Sequence, residues 1–358
     1  MVWCNTRGAA ILLSYFKGSF LFTLACLVLA VAYGWMRVGT VAGTVEVVWI
    51  VLVLSVLEIS LSFDNAVVNA AVLKNMDEVW QRRFLTWGMV IAVFGMRIAF
   101  PLIIVWLAAG LGPVEALQLS LNEPARYEAV VSSAHVGIAG FGGAFLAMVG
   151  MRFFFDAEKD VHWIRWIEQR LSAVSTIRAV EIAVLILALY GISLMLDQHE
   201  ALVFLTAGML GLVTFIAVEA VGTLLELHEA RQLAAGVMVR SGLGGFLYLN
   251  VLDASFSFDG VIGAFALSNN MIVIALGLSI GAMFVRSLTI MLVQRGTLDE
   301  YRYLEHGAFW AIVALAGIML LSVRYQISET VTGLIGAVLI IASLWWSVRY
   351  SRRHGNTH

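Results

Sequence analysis

Charge is scarce in this 358-residue chain: Asp, Glu, Lys and Arg together make up 13% of it, where ordinary soluble domains carry roughly 25%. With 61% hydrophobic residues and a mean hydropathy of +0.91, that shortage excludes a soluble globular domain and points to a protein embedded in lipid. Cysteine is nearly missing. Cys4 and Cys26 cannot build a disulfide framework, and neither has a partner at a metal-ligand spacing. Only three prolines occur, Pro101, Pro113 and Pro124, so few helices can be interrupted by that route. A net charge of −2, with no basic run interleaved with aromatics, offers nothing to a nucleic acid. The absence of a Ser/His dyad and of a His-Glu-x-x-His motif argues against a hydrolase, and the chain is read as a non-enzyme. No clear small-x-small site follows the first apolar run, which is read as a span and not as a cleaved leader.

What the chain does have is long apolar runs. Segments of about 20 apolar residues lie near 19–36, 45–72, 84–110, 135–155, 179–197, 201–226, 241–267, 271–294, 306–323 and 330–350. The expected fold is therefore an all-α polytopic membrane protein, one membrane domain over 1–358 with about ten transmembrane helices. Apart from Arg37, Arg126, Arg324 and the embedded Arg97 and Arg286, every Lys and Arg falls on the termini or an even-numbered connection. Positive residues collect on the cytoplasmic side, so both termini are expected there, in a bacterial inner membrane. The longest polar stretch, 156–178, sets Trp163, Ile164, Trp166, Ile167 and Leu171 at helical spacing among charges. That pattern predicts a cytoplasmic amphipathic helix lying in the interface.

Two segments are copies of one another. Glu58-Ile59-Ser60-Leu61-Ser62-Phe63-Asp64-Asn65 and Asp253-Ala254-Ser255-Phe256-Ser257-Phe258-Asp259-Gly260 share the pattern acid-x-Ser-[Leu/Phe]-Ser-Phe-Asp-[Asn/Gly]. The offset is constant, since 253 − 58 and 259 − 64 both give 195, and each copy precedes one arginine inside the next span, Arg97 or Arg286. The copies lie five crossings apart and so run in opposite directions, which predicts inverted repeats over 19–197 and 201–350, an architecture common in secondary transporters. A carboxylate at bilayer depth costs roughly 3 kcal/mol or more and marks a functional site. Glu58 and Asp64, six residues apart, would be separated by about 9 Å of rise on an unbroken helix. Motif serines that compete for backbone hydrogen bonds therefore predict discontinuous helices in both copies.

Pairing the copies would gather Glu58, Asp64, Asn65, Asp253 and Asp259, with Ser62, Asn69, Asn250 and Ser257 as accessory oxygens and His135 as a more distant candidate. Hard oxygen donors suit Mn²⁺, Ca²⁺ or Mg²⁺ better than Cu⁺ or Zn²⁺. Arg97 and Arg286 would balance the carboxylates when no ion is bound. The cation is then cargo, and no covalently bound cofactor is expected. Partners are the bilayer and the metal ion, with a homo-oligomer left open.

The segments EISLSFDNAVV and DASFSFDGVIGAFAL resemble the two signatures of the TerC family of integral membrane proteins. FGGAFLAMVGMRFFFD, HWIRWIE and YLEHGAFWAI resemble its long, DUF-type branch. The resemblance runs from about Val45 to Leu321. It implies a transporter fold related to LysE-type exporters, with links to manganese efflux and to tellurite resistance. The family's acidic positions fall on Glu58, Asp64 and Asn65, and on Asp253 and Asp259. Gly260 replaces the serine of many relatives, and Asp253 stands opposite Glu58, so the two halves need not contribute equally. The expectation is a divalent-cation exporter, with Mn²⁺ the first-choice cargo; the rival is a membrane scaffold of a tellurite or metal-stress complex whose buried acids are structural.

Overall fold

The computed structural model describes residues 6–88, 90–156, 161–174, 179–234, 242–265, 267–325, 327 and 329–354. All regular structure in them is helical. The chain forms α1 (Thr6–Val38), α2 (Val41–Leu61), α3 (Phe63–Leu73) and α4 (Glu78–Arg83), followed by two π-helical stretches, Phe84–Gly88 and Ile91–Ala99, and α5 (Phe100–Ala109). Next come α6 (Pro113–Asn122), α7 (Pro124–Ser133), α8 (His135–Phe154), α9 (Arg165–Val174), α10 (Ala179–Ser193) and α11 (Gln198–Ala234). The last five are α12 (Leu243–Phe265), α13 (Met271–Gln294), α14 (Thr297–Glu300), α15 (Leu304–Ser322) and α16 (Glu329–His354).

Eight helical segments among the described residues are long and apolar enough to cross a membrane. They match eight of the ten expected runs, so the chain is an all-α polytopic membrane protein. The other two runs are also helical. α10 has only 15 residues, while α12 has 23 but carries Asn250, Asp253, Asp259 and the motif serines. The stretch 111–134, expected as a plain connection, instead holds α6 and α7. Each begins with a proline in its first turn, where the missing N–H costs nothing. Tyr127 of α7 is fully buried against Phe265 of α12.

Interruption of the motif helices occurs in one copy. The first breaks at a single residue, Ser62, between α2 and α3, while the second runs unbroken through Ser255 and Ser257 in α12. Ser255 gives its hydroxyl to the Val251 carbonyl one turn back (3.2 Å), a bond that leaves the helix intact. Discontinuity is thus corrected to the first copy alone.

Two apolar clusters flank the motifs. One joins α3, α8, α12 and α15 through residues such as Ala66, Phe145, Leu252 and Ile312. The other joins α2, α7 and α13 through Leu54, Tyr127 and Leu278. Helices approach closely at small residues, as membrane packing without a hydrophobic drive requires. A Cβ on Gly281 of α13 would fall 2.4 Å from the Glu58 Cβ and 3.0 Å from the Ser55 carbonyl oxygen. Gly281→Ala should therefore destabilise the protein by about 1–3 kcal/mol through overpacking, read as a lower thermal midpoint in detergent. Gly317→Ala, with nothing within 4 Å of its added carbon, is the control and should unfold no lower than wild type.

Candidate ion site

At the break, Ser62 has φ −101° and ψ 18°, yet the hydrogen-bond ladder is only dented. Its N–H still donates to the Glu58 carbonyl (3.0 Å), and its own carbonyl accepts from the Ala66 N–H (3.2 Å). The side chain takes a different path, with Ser62 Oγ donating to Glu58 Oε1 at 2.9 Å. The new helix that starts at Phe63 carries Asp64 and Asn65 in its first turn, where aligned peptide dipoles favour an anion. Asp64 Oδ1 accepts the Asn65 N–H at 2.9 Å.

Glu58 is the most enclosed of the motif acids described, at 2% exposure. Arg97, from the π-helical stretch Ile91–Ala99, donates directly to its Oε1. A charge this deep is tolerated only when paired and hydrogen-bonded, and Glu58 meets both conditions. The second copy closes over it: a Cβ on Gly260 would lie 2.8 Å from Glu58 Oε2, so the residue that replaces Asn65 in the repeat leaves room for the first copy's acid. A second link crosses the copies, where Asn69 Nδ2 donates to Asp253 Oδ1 at 2.9 Å.

Arg286 behaves differently from Arg97. Among the described residues no carboxylate lies within ion-pair distance of it. Its guanidinium donates to the Phe84 carbonyl and lies 4.1 Å over the Phe84 ring centre. A Cβ on Gly88 would come within 2.4 Å of the same guanidinium, so both ends of the first π stretch are shaped around this arginine. π turns of this kind concentrate at functional sites.

These side chains surround two small cavities of about 30 Å³ each, room for a water-sized guest. The first is lined by Glu58, Ser60, Ser62 and Asp64, with Gly260 of α12, residues of α15, and Thr332 and Gly336 of α16. The second is lined by Asn65, Asn69, Arg97, Asp253 and Arg286, and again by Glu58 and Ser62. Glu58 and Ser62 form the wall between them. In the second cavity, Asn65 Oδ1, Asn69 Oδ1, Arg97 Nε and Arg286 Nε are buried without a hydrogen-bond partner among the described residues.

The expected ligand set is therefore spread over two compartments. Glu58 and Asp64 share one cavity; Glu58, Asn65, Asn69 and Asp253 share the other. The side chain of Asp259 lies outside the described residues. Ser257 is buried with its hydroxyl unpartnered among the described residues. Asn250 donates to the Phe246 carbonyl of its own helix (2.6 Å), and His135 meets Ser322 at 3.3 Å; neither lines either of these two cavities. No group of three or more His, Cys, Asp and Glu side chains among the described residues is close enough to hold a metal.

The chain belongs to the family described as "Protein of unknown function (DUF475)". Its model matches residues 63–354. The match begins one residue past the break, so it takes in Asp64, Arg97, Asp253, Asp259 and Arg286 but not Glu58 or Ser62. No curated protein and no solved structure matches the chain.

Sequence reasoning missed a second buried polar cluster at one end of the bundle. Glu168 of α9, 1% exposed, accepts the N–H groups of Trp163 (3.0 Å) and Ile164 (3.1 Å) and the Trp310 indole N–H (3.0 Å). His162 and His306 lie 3.8 and 3.6 Å from it. The signal was an acid on the apolar side of an amphipathic helix, facing an indole N–H 142 residues away.

The Glu58–Arg97 pair yields a stability test. Arg97→Gln leaves a buried carboxylate without its cation and should cost about 3–5 kcal/mol, while Glu58→Gln/Arg97→Gln together should recover most of that loss. Thermal unfolding of the two variants checks it, and equal midpoints would refute the pairing.

Proposed function

We propose that this protein is a TerC-like, inner-membrane exporter of divalent cations, with Mn²⁺ the best-matched cargo. The observation that carries the reading is the first cavity: its polar lining is the oxygens of Glu58, Ser60, Ser62, Asp64 and Thr332, with no basic side chain among the residues lining it. Such a set suits a hard ion of the Mn²⁺, Mg²⁺ and Ca²⁺ class. Asp64 is the principal ligand, stabilised at a helix start; Asp259 is its counterpart in the second copy.

Glu58 serves both compartments. With no ion bound, Arg97 acts as a tethered counter-cation; an arriving divalent ion competes with it for the carboxylate, so occupancy of one cavity is felt in the other.

Packing of the inner helices supports the internal two-fold on which alternating access would rest, whereas the outer helices do not follow it, α11 packing on α8 and α1 on α13. α8 packs on α15, the π stretch Ile91–Ala99 packs on α13, and the two motif helices pack on each other; a two-fold maps each of these pairs onto itself. The exchange of α2 on α13 with the π stretch on α12 is a further matched pair. A different observation favours the scaffold reading, in which the acids are structural: Glu58 is already neutralised by Arg97 without any ion.

Asp64→Asn and Asp259→Asn are expected to abolish Mn²⁺ export while the protein still inserts. The check is metal flux in liposomes and intracellular manganese in an export-deficient host. Retained export by Asp64→Asn would exclude the proposed cavity and leave the scaffold reading in its place.

A further inference from the structure

One end of the bundle carries an arginine-rich, aromatic surface that the transport reading does not use. On α9, Arg165, Trp166 and Arg170 are exposed, and the Arg170 guanidinium lies 4.7 Å over the Trp166 ring. On the last turns of α16, Trp345 and Trp346 are 53% and 50% exposed, and Arg349 lies 5.1 Å over the Trp345 ring. Arg352 follows one turn later, also exposed. Trp163, two residues before α9, meets Trp346 of α16 with its ring 6.4 Å away and edge to face.

The two helices themselves present little acid on this face. The single carboxylate of α9, Glu168, is turned inward onto Trp310 of α15. The last turns of α16, from Ile340 to His354, contain no Asp or Glu. Beside them, exposed Arg302 donates to the Tyr350 hydroxyl (3.4 Å), and the neighbouring Asp299 is held by Lys74 at 3.6 Å.

We infer that the α9–α16 seam binds the headgroups of anionic phospholipids. Tryptophan prefers the level where headgroups meet acyl chains, and an arginine stacked on such a ring keeps its N–H edge free for a phosphate oxygen. A water-facing surface for an acidic protein or a nucleic acid would have no use for half-exposed indoles at the end of a membrane span. Each basic residue close to an anionic leaflet strengthens binding about fivefold. The lipid would clamp α9 to α16 from outside, as Glu168 clamps α9 to α15 from inside. This holds whatever the cargo is.

The test uses full-length protein in neutral detergent, with native mass spectrometry to count retained lipids and thermal unfolding to read stabilisation. Phosphatidylglycerol, phosphatidylcholine and inorganic phosphate are the probes. Wild type should retain phosphatidylglycerol and unfold at a higher temperature with it, and should respond to neither of the others. Arg165→Gln/Arg349→Gln/Arg352→Gln should weaken phosphatidylglycerol binding by more than about tenfold, whereas Arg324→Gln, at the opposite end of α15, should not. Equal retention of both lipids by wild type, the same stabilisation from inorganic phosphate, or undiminished binding by the triple variant would each overturn the inference.

Discussion

One buried ion pair, Glu58 with Arg97, organises the centre of this molecule. Four separate pieces of chain answer to that carboxylate. Ser62 leaves helical geometry and gives it a hydroxyl; the π-helical third span delivers its cation; Gly281 of α13 lets the backbone of its neighbour pass against its stem; Gly260 of α12 leaves space at its far oxygen. An unpaired charge at this depth would be too costly to keep, and that cost ties α2 to the π-helical stretch that carries Arg97.

Two matching motifs have settled into different conformations around this point. In the first copy the helix breaks, the acid is paired and the following span is π-helical. In the second the helix is continuous, Arg286 turns to a backbone carbonyl, and α13 is regular throughout. The serines make the difference. Ser60 and its counterpart Ser255 behave alike, each giving its hydroxyl to the backbone carbonyl four residues back, but Ser62 gives its hydroxyl to the Glu58 carboxylate while its counterpart Ser257 has no hydrogen-bond partner among the described residues. On the proposed transport reading, this difference between the copies is the asymmetry that rocking between two faces of a membrane would need.

Much of the fold was legible because lipid punishes ambiguity: apolar runs of bilayer length have few other meanings. α10 and α12 fall short of the full pattern for separate reasons, length in one and motif polarity in the other. The helices α6 and α7 did have a signal, in Pro113 and Pro124 as first-turn prolines, but a 24-residue gap between spans reads most easily as a loop. At the site, residue types were legible and partners were not. Phe84 contributes a backbone carbonyl, which leaves no trace in a sequence, and the bond from Asn69 to Asp253 joins residues 184 positions apart. Glu168 was hidden by its neighbours, since an acid between arginines on an amphipathic helix reads as solvated.

The glycines around Glu58 have one more implication. A side chain packed along its stem against Gly281 of α13 and fitted at its tip into the space beside Gly260 of α12 is placed as a pivot and not as an arm. On the proposed reading, an ion would have to shed its hydration shell and come to that oxygen, because the oxygen would not go out to meet it.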